Sequence, residues 1–146
     1  MKQEHKDWFL KNIQDKNFTL IDMPLKNYGR KYEFYNFGRN EVPFDLEFER
    51  YLKEFIKDNQ FVFDCYHVHK WKEGYYFDSH IDDRENRKFS YVCELKESEC
   101  KTKLLVNTML TEEGWFNVQT EHRVPKIKKG ERISLTIFEK NKKQIL

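Results

Sequence analysis

The chain has 146 residues, of which 36% are charged and 16% aromatic, and its formal net charge is +2 at pH 7. This length suits one domain with a sizeable core, and the composition excludes a disordered or fibrous protein. Apolar runs are too short to cross a bilayer and the start lacks a signal-peptide core, so a cytoplasmic protein without membrane partners is expected. The three cysteines lack Cys-x-x-Cys spacing, which favours free, mostly buried thiols in a reducing compartment.

Within a single domain over 1–146, the first sixty residues predict a helical and mixed supporting region. Apolar residues recur at helical intervals over 3–14, and 18–23 favours a strand that ends before a proline. The aromatic segment 28–37 predicts a strand or an ordered loop. A wide apolar stripe over 43–57, with acidic residues in its first turns, predicts a second helix. We expect both helices to brace the outside of a sheet.

From residue 61 to 139 the pattern changes to short, β-rich runs bounded by turn residues. These runs are 61–71, 89–95, 103–108, 115–118 and 132–138. Several such runs in series predict a mainly β fold of the sandwich or jelly-roll kind, with flanking helices. Residues 140–146 form a basic tail. The excess of Lys and Arg after residue 122 is typical of a solvated face, although it leaves open contact with a phosphate backbone or an acidic protein.

A possible metal site lies in the β-rich region. His80 and Asp82 stand two apart, and side chains at this spacing on a strand share one face. A third ligand, for which His122 is the candidate, would complete the 2-His-1-carboxylate triad that holds Fe(II) with open positions. Further on, Arg132 and Ser134 share a strand face that can bind a carboxylate. A bare His-x-Asp can also be a surface pair, so the prediction depends on the ordered set.

The ordered set carries a family resemblance that covers about residues 61–139. It resembles the Fe(II)/2-oxoglutarate-dependent oxygenases, and among them the prolyl-hydroxylase-like branch. The motifs are aromatic–Gly–aromatic before His-x-Asp, Arg-x-x-Ser at the next strand, and Gly-x-Arg opening the last strand: Trp71, Gly74, Phe77, His80, Asp82, Arg87, Ser90, His122, Gly130 and Arg132. The resemblance implies a double-stranded β-helix with the metal ligands inside its open mouth.

The same resemblance implies the cofactors. Fe(II) would be held by His80, Asp82 and His122, with 2-oxoglutarate as cosubstrate and O₂ consumed. Arg132, helped by Ser134, would bind the far carboxylate of 2-oxoglutarate, and Trp71 would line that site.

The implied activity is hydroxylation of an unactivated C–H bond. The leading substrate is a peptidyl residue of the prolyl type, followed by a free amino acid or other small metabolite and then by nucleic acid. Near the mouth, Arg84 and Arg123 are candidates to orient the substrate, and Arg87 could do so or serve its strand. The oligomeric state is left open.

Two positions depart from the family, which usually has tyrosines where Trp71 and Glu94 stand. A carboxylate near a dianionic cosubstrate repels it, so either the strand register is shifted at Glu94 or the pocket differs there. Other classes of protein also remain open. His67, His69 and Glu73 have the His-x-His-x-x-x-Glu spacing of cupins, although alternating strand histidines are more typical of an exposed face. A non-catalytic binding module is the third class.

Overall fold

A computed structural model describes residues 1–23, 28–38, 41–42, 46–54, 63–82 and 89–139. These residues form two helices and ten strands. They are α1 (Gln3–Asn12), β1 (Thr19–Met23), β2 (Arg30–Gly38), α2 (Leu46–Glu54), β3 (Phe63–Trp71), β4 (Tyr76–His80), β5 (Phe89–Lys96), β6 (Leu104–Val106), β7 (Met109–Thr111), β8 (Glu113–Asn117), β9 (His122–Val124) and β10 (Arg132–Glu139). The mainly β fold with flanking helices is therefore confirmed. In the described part of the chain, no helix has the length and apolar character to cross a membrane.

The strands form one antiparallel sheet that curls on itself. Its order is β7-β6-β9-β4-β2-β3-β10-β5-β8, with β1 paired to β2. The long pairings of β2, β3, β10 and β5 make the larger wall, and the short strands β4, β9 and β6 make the facing one. The β4–β9 and β3–β10 pairings join strands that are distant in sequence, and they bring residues near 80, 122 and 132 to one cavity.

Several boundaries differ from the predicted ones. Of the two alternatives for the aromatic segment, residues 30–38 form the strand, and the ends of the predicted helix 43–57 lie outside the described residues. The run 103–108 contains a hairpin, with β6 ending before Asn107. Asn107 and Thr108 have φ of 46° and 69°, the left-handed conformation of a two-residue hairpin turn. Neither β7 nor β9 was predicted from the sequence.

The residues of the larger wall alternate between its two faces. The outward ones, among them Tyr66 and Leu135, join Phe9 of α1 and Leu52 of α2 in the main core. The helices thus cover the outside of the sheet, as predicted. The inward ones, such as Trp71, join a smaller cluster beside the enclosed volume: Val92, Leu104, Val124 and Ile127. Each fully buried apolar side chain of this size stabilises the fold by about 1.5–3 kcal/mol.

The three cysteines are free, as predicted, but only Cys93 is fully buried. Burial, and then a neighbouring carboxylate, raise the pKa of the Cys93 thiol to about 12. Cys100 is exposed, and hydrogen bonds with the hydroxyls of Thr102 and Ser98 lower the pKa of its thiol to about 6. Cys93 is therefore protonated at neutral pH, whereas Cys100 is mostly thiolate.

Candidate metal centre and cosubstrate pocket

Two histidines face each other across the short strands. β4 and β9 pair His80 directly with His122, and their ring centroids are 4.2 Å apart. In each ring Nδ1 lies 2.7 Å from a backbone oxygen two residues earlier, that of Asp78 for His80 and that of Thr120 for His122. A carbonyl only accepts, so each Nδ1 carries the proton and each Nε2 keeps its lone pair for a metal.

The third predicted ligand comes from the segment just after β4. The strand ends at His80, so Asp82 lies beyond it rather than on it as predicted. Its backbone N–H donates to the Val118 carbonyl over 2.8 Å, which ties it to the turn after β8. Asp82 Oδ1 lies 3.4 Å from His80 Nε2 and 3.7 Å from His122 Nε2. Within the described ranges, these three residues are the one group whose ligand atoms all lie within 4.8 Å of one another.

The arrangement fits a first-row metal ion. Two ligands at right angles, each about 2.1 Å from a metal, are about 3 Å apart, close to the observed spacing. Burial lowers the pKa of His122 below its ordinary value, and a charged His80 would lower it further. His122 is therefore neutral at pH 7, as metal binding requires. Two imidazoles and one carboxylate on one side of the ion leave its other side open, which suits Fe(II).

Aromatic rings hold the first histidine in place. Tyr28 and Phe77 stack on His80 with centroid distances of 4.5 and 4.0 Å and interplanar angles of 17°. Phe116 approaches His122 edge-on at 5.0 Å. With their Nδ1 atoms also bonded, both imidazoles have little freedom to rotate. The ligand set is therefore positioned by the fold itself.

The metal ligands open into a cavity of about 520 Å³, whose wall includes Arg132, Ser134 and Trp71. Arg132 is only 1% exposed, and its Nη2 has no hydrogen-bond partner among the described residues. The Trp71 indole N–H donates to Ser134 Oγ over 3.1 Å. The turn before β10 requires Gly130, because its φ is +82° and a Cβ there would lie 2.8 Å from the Glu99 nitrogen. A buried guanidinium nitrogen without a partner, on the wall of a cavity, indicates an anion-binding pocket.

Glu94 lies beside this arginine, so the departure from the family is a feature of the pocket. The register of β5 and β10 pairs Glu94 with Ser134. Arg132 Nε donates to Glu94 Oε2 over 3.1 Å, and Lys103 Nζ donates to Oε1 over 2.6 Å. Burial disfavours the charge on Lys103, yet its bond to Glu94 and nearby carboxylates raise its pKa. Two cations thus neutralise Glu94, which removes the repulsion expected for an anionic cosubstrate. No sequence pattern indicates this role for Lys103.

The candidate substrate residues divide between described and undescribed parts of the chain. Arg123, on β9, is exposed and lines both the cavity and an adjoining groove of about 660 Å³. Arg84 and Arg87 lie outside the described residues. Ile81, half exposed, also lines the cavity beside the metal ligands. Among the described residues, Arg123 and Ile81 are therefore a cation and an apolar side chain that a molecule entering the cavity can contact.

The cupin-like set is not assembled. His67 and His69 line the cavity rather than an exposed face, which corrects the expectation from their alternation. Glu73 is exposed, and its Oε1 accepts a bond from the Gly130 N–H over 3.1 Å. The metal-type grouping found among the described residues does not include these three side chains.

No family sequence model and no curated protein sequence matches the chain. Solved structures with a similar fold do match it. A viral collagen prolyl hydroxylase from Paramecium bursaria Chlorella virus-1, in its 2-oxoglutarate complex, is 16% identical with a TM-score of 0.73, over 95% of this chain and 91% of that one. A 2OG-Fe(II) oxygenase family oxidoreductase from Burkholderia pseudomallei is 11% identical with a TM-score of 0.72, over 94% and 79%. A Trichoplax adhaerens prolyl hydroxylase, in complex with a hypoxia inducible factor peptide fragment, is 14% identical with a TM-score of 0.61, over 97% and 79%. The resemblance is thus confirmed at the level of the fold: the chain has the double-stranded β-helix fold of the Fe(II)/2-oxoglutarate oxygenases, prolyl hydroxylases among them.

Proposed function

We propose that the protein is an Fe(II)- and 2-oxoglutarate-dependent dioxygenase that hydroxylates an unactivated C–H bond. The observation that carries the proposal is the convergence of His80, Asp82 and His122 on a cavity whose far wall holds Arg132, with its buried Nη2 unpaired among the described residues. A metal site alone suits many proteins. A metal site that shares a cavity with a buried arginine suits a cosubstrate with a metal-chelating end and a distant carboxylate.

In this proposal His80 and His122 bind the metal through Nε2, and Asp82 binds it through Oδ1. When bound, Fe(II) supplies O₂ activation coupled to oxidative decarboxylation of 2-oxoglutarate, chemistry that amino-acid side chains lack. The chain itself orients the reactants. The Asp78 and Thr120 carbonyls hold the protons of the two imidazoles on Nδ1, away from the metal.

The cosubstrate assignment rests on the opposite wall. Arg132 Nη2 and the Ser134 hydroxyl bind the far carboxylate, and Trp71 holds Ser134 in position through its indole N–H. Glu94 fixes the guanidinium by accepting from its Nε. The apolar residues around the cavity exclude water, which strengthens the charged pairing and limits side reactions.

For the substrate, we propose a peptidyl side chain, prolyl first. The Trichoplax adhaerens hydroxylase of the same fold holds a peptide fragment. Here Arg123 lines both the cavity and the adjoining groove, so a chain lying in the groove would pass the metal ligands. Arg123, together with Arg84, would orient it. A free amino acid or another small metabolite comes next, and nucleic acid third. The free thiols support a reducing, cytoplasmic location.

Metal content of purified variants tests the centre. Ala at His80, Asp82 or His122 should abolish stoichiometric Fe(II) binding, because each removes one of three ligands. His67→Ala is the matched control, since it removes an imidazole from the same cavity and should retain iron. Parent-like iron in the three ligand variants, with loss in His67→Ala, would instead favour a cupin-type site.

Turnover tests the reaction and ranks the substrates. Peptides, free amino acids and oligonucleotides are each added with Fe(II) and 2-oxoglutarate, and succinate release is measured above the uncoupled background. Proline-containing peptides should stimulate release most. Oligonucleotides that stimulate it with strong salt dependence, while peptides do not, would reverse the substrate order. A protein that binds neither iron nor 2-oxoglutarate would be a binding module.

A further inference from the structure

His69 is a polar side chain on the cavity wall to which the proposed function assigns no role. The β3–β10 register pairs His69 with Ser134. Two residues further along β3, it pairs Trp71 with Arg132. Directly opposed side chains on neighbouring strands have Cβ atoms about 4.5–5.5 Å apart. All four residues line the cavity. His69 is therefore next to the anion-binding pair rather than next to the metal-binding strands β4 and β9.

The surroundings of His69 are aromatic. Tyr32 meets its ring edge-on at 5.3 Å, and the Phe34 and Trp71 rings lie at 6.5 and 5.9 Å. Among the described residues, neither ring nitrogen of His69 has a hydrogen-bond partner. Burial, then the charges of His67 and Arg132, hold the pKa of His69 well below its ordinary value. The ring is thus neutral at pH 7, with one N–H to donate.

The part of the cavity wall around His69, Arg132 and Ser134 has more hydrogen-bond donors than acceptors. Arg132 Nη2 is orphaned, and Ser134 accepts from Trp71, which leaves its own hydroxyl proton to donate. Glu94, on the other side of Ser134, is already bound by Arg132 Nε and by a lysine. Donors from adjacent strands thus line one cavity, and the buried Arg132 Nη2 has no acceptor among the described residues. Buried donors are normally satisfied, so an acceptor oxygen of a ligand fits this part of the wall.

We infer that His69 is a third donor to the far carboxylate of the cosubstrate, beside Arg132 and Ser134. This inference rests on the proposed function. A carboxylate has two oxygens with about four lone-pair positions, so it can accept from all three residues at once. His69 is then a residue that selects a dicarboxylate over a keto acid that lacks the second carboxylate.

The test compares two ligands by calorimetry on anaerobic, Mn(II)-loaded protein: 2-oxoglutarate and 2-oxobutyrate, which lacks the far carboxylate. His69→Phe keeps an aromatic ring but removes the donor, and His69→Leu is a second donor-free variant should Phe disturb folding. Each should weaken 2-oxoglutarate binding roughly 10- to 100-fold, as for loss of a bond to a charged group. Binding of 2-oxobutyrate should stay within about twofold of the parent. His69→Gln, which restores a donor, should recover part of the loss.

The outcomes separate the two proposals. Parent-like 2-oxoglutarate affinity in the donor-free variants, or an equal loss for both ligands, would reject the role of His69 and leave the oxygenase proposal standing. A parent protein that binds 2-oxobutyrate as tightly as 2-oxoglutarate, or binds neither, would reject the cosubstrate pocket itself. His67→Ala is the control, because its partner on β10 is Thr136 rather than Ser134. It should keep the parent's ratio of affinities.

Discussion

Replacement of Glu94 by Gln tests the ion network behind the cavity. Glu94 accepts from Arg132 Nε at 3.1 Å and from Lys103 Nζ at 2.6 Å, and the three side chains are 10%, 1% and 9% exposed. Gln keeps the size and an accepting oxygen but removes the charge. Lys103 would keep Glu97 and Glu112, each at 3.3 Å. Arg132 would keep no carboxylate among the described residues.

The expected loss of stability follows from this asymmetry. Breaking a buried ion pair by removing one partner costs about 3–5 kcal/mol, since it leaves an uncompensated charge. The amide still accepts a hydrogen bond and Lys103 keeps partners, so we expect the lower end, about 3 kcal/mol. For a domain of this size that corresponds to a fall in Tm of about 10 °C. Urea denaturation should measure the loss, because guanidinium chloride would screen the charges.

Glu97→Gln is the matched control. Glu97 contacts the same lysine but is 47% exposed, so its loss should cost less than about 1 kcal/mol. Added 2-oxoglutarate should raise the stability of Glu94→Gln more than that of the parent, because the unmatched guanidinium gains a partner. Equal losses in the two variants, or a Glu94→Gln protein as stable as the parent, would refute the reasoning.

Three further predictions concern single positions. Arg132→Ala should keep its metal but bind 2-oxoglutarate roughly 10- to 100-fold more weakly by calorimetry, with partial recovery in Arg132→Lys; equal binding in all three proteins would contradict the pocket. Gly130→Ala should lose about 2 kcal/mol or more in urea denaturation, because its Cβ would meet the Glu99 backbone at 2.8 Å; Gly74→Ala, with similar φ but open space, should lose about 1 kcal/mol. The rate at which iodoacetamide alkylates Cys100 should rise through pH 6 and level off by about pH 8, whereas in urea it should follow a pKa near 8.5.

The grouping of His80, Asp82 and His122 was predictable because its signal in the sequence is local and ordered. His80 and Asp82 are two residues apart, and the motif supplied His122, so no long-range geometry had to be known. The prediction placed His80 and Asp82 on one strand, and this placement is wrong, because β4 ends at His80. Asp82 reaches the site through a backbone bond to the turn at Val118, a contact between distant segments that spacing does not encode.

The anion pocket was predictable only in part, because its remaining members come from pairings between distant strands. Arg132 and Ser134 stand on one strand and were found. Lys103 joins them only through the side chain of Glu94, and no sequence pattern marks that contact. The position of His69 was predicted wrongly, because polar and apolar residues that alternate along a strand usually indicate one solvent-exposed face. Here β3 is covered by helices on one side and faces the cavity on the other, so its histidines line the cavity.

Two carbonyls and stacked rings hold the imidazoles of the candidate centre in place. Because the fold positions these nitrogens, the identity of a bound ion would depend on which divalent ions are available. Prearranged nitrogen ligands bind Co²⁺, Ni²⁺ and Cu²⁺ more tightly than Fe²⁺ in the usual order of affinities. Such a centre would therefore hold one of these ions in place of Fe²⁺ wherever they are available. Protein purified on nickel resin would carry nickel, and chelation followed by anaerobic loading with ferrous salt should precede any conclusion that the chain is inactive.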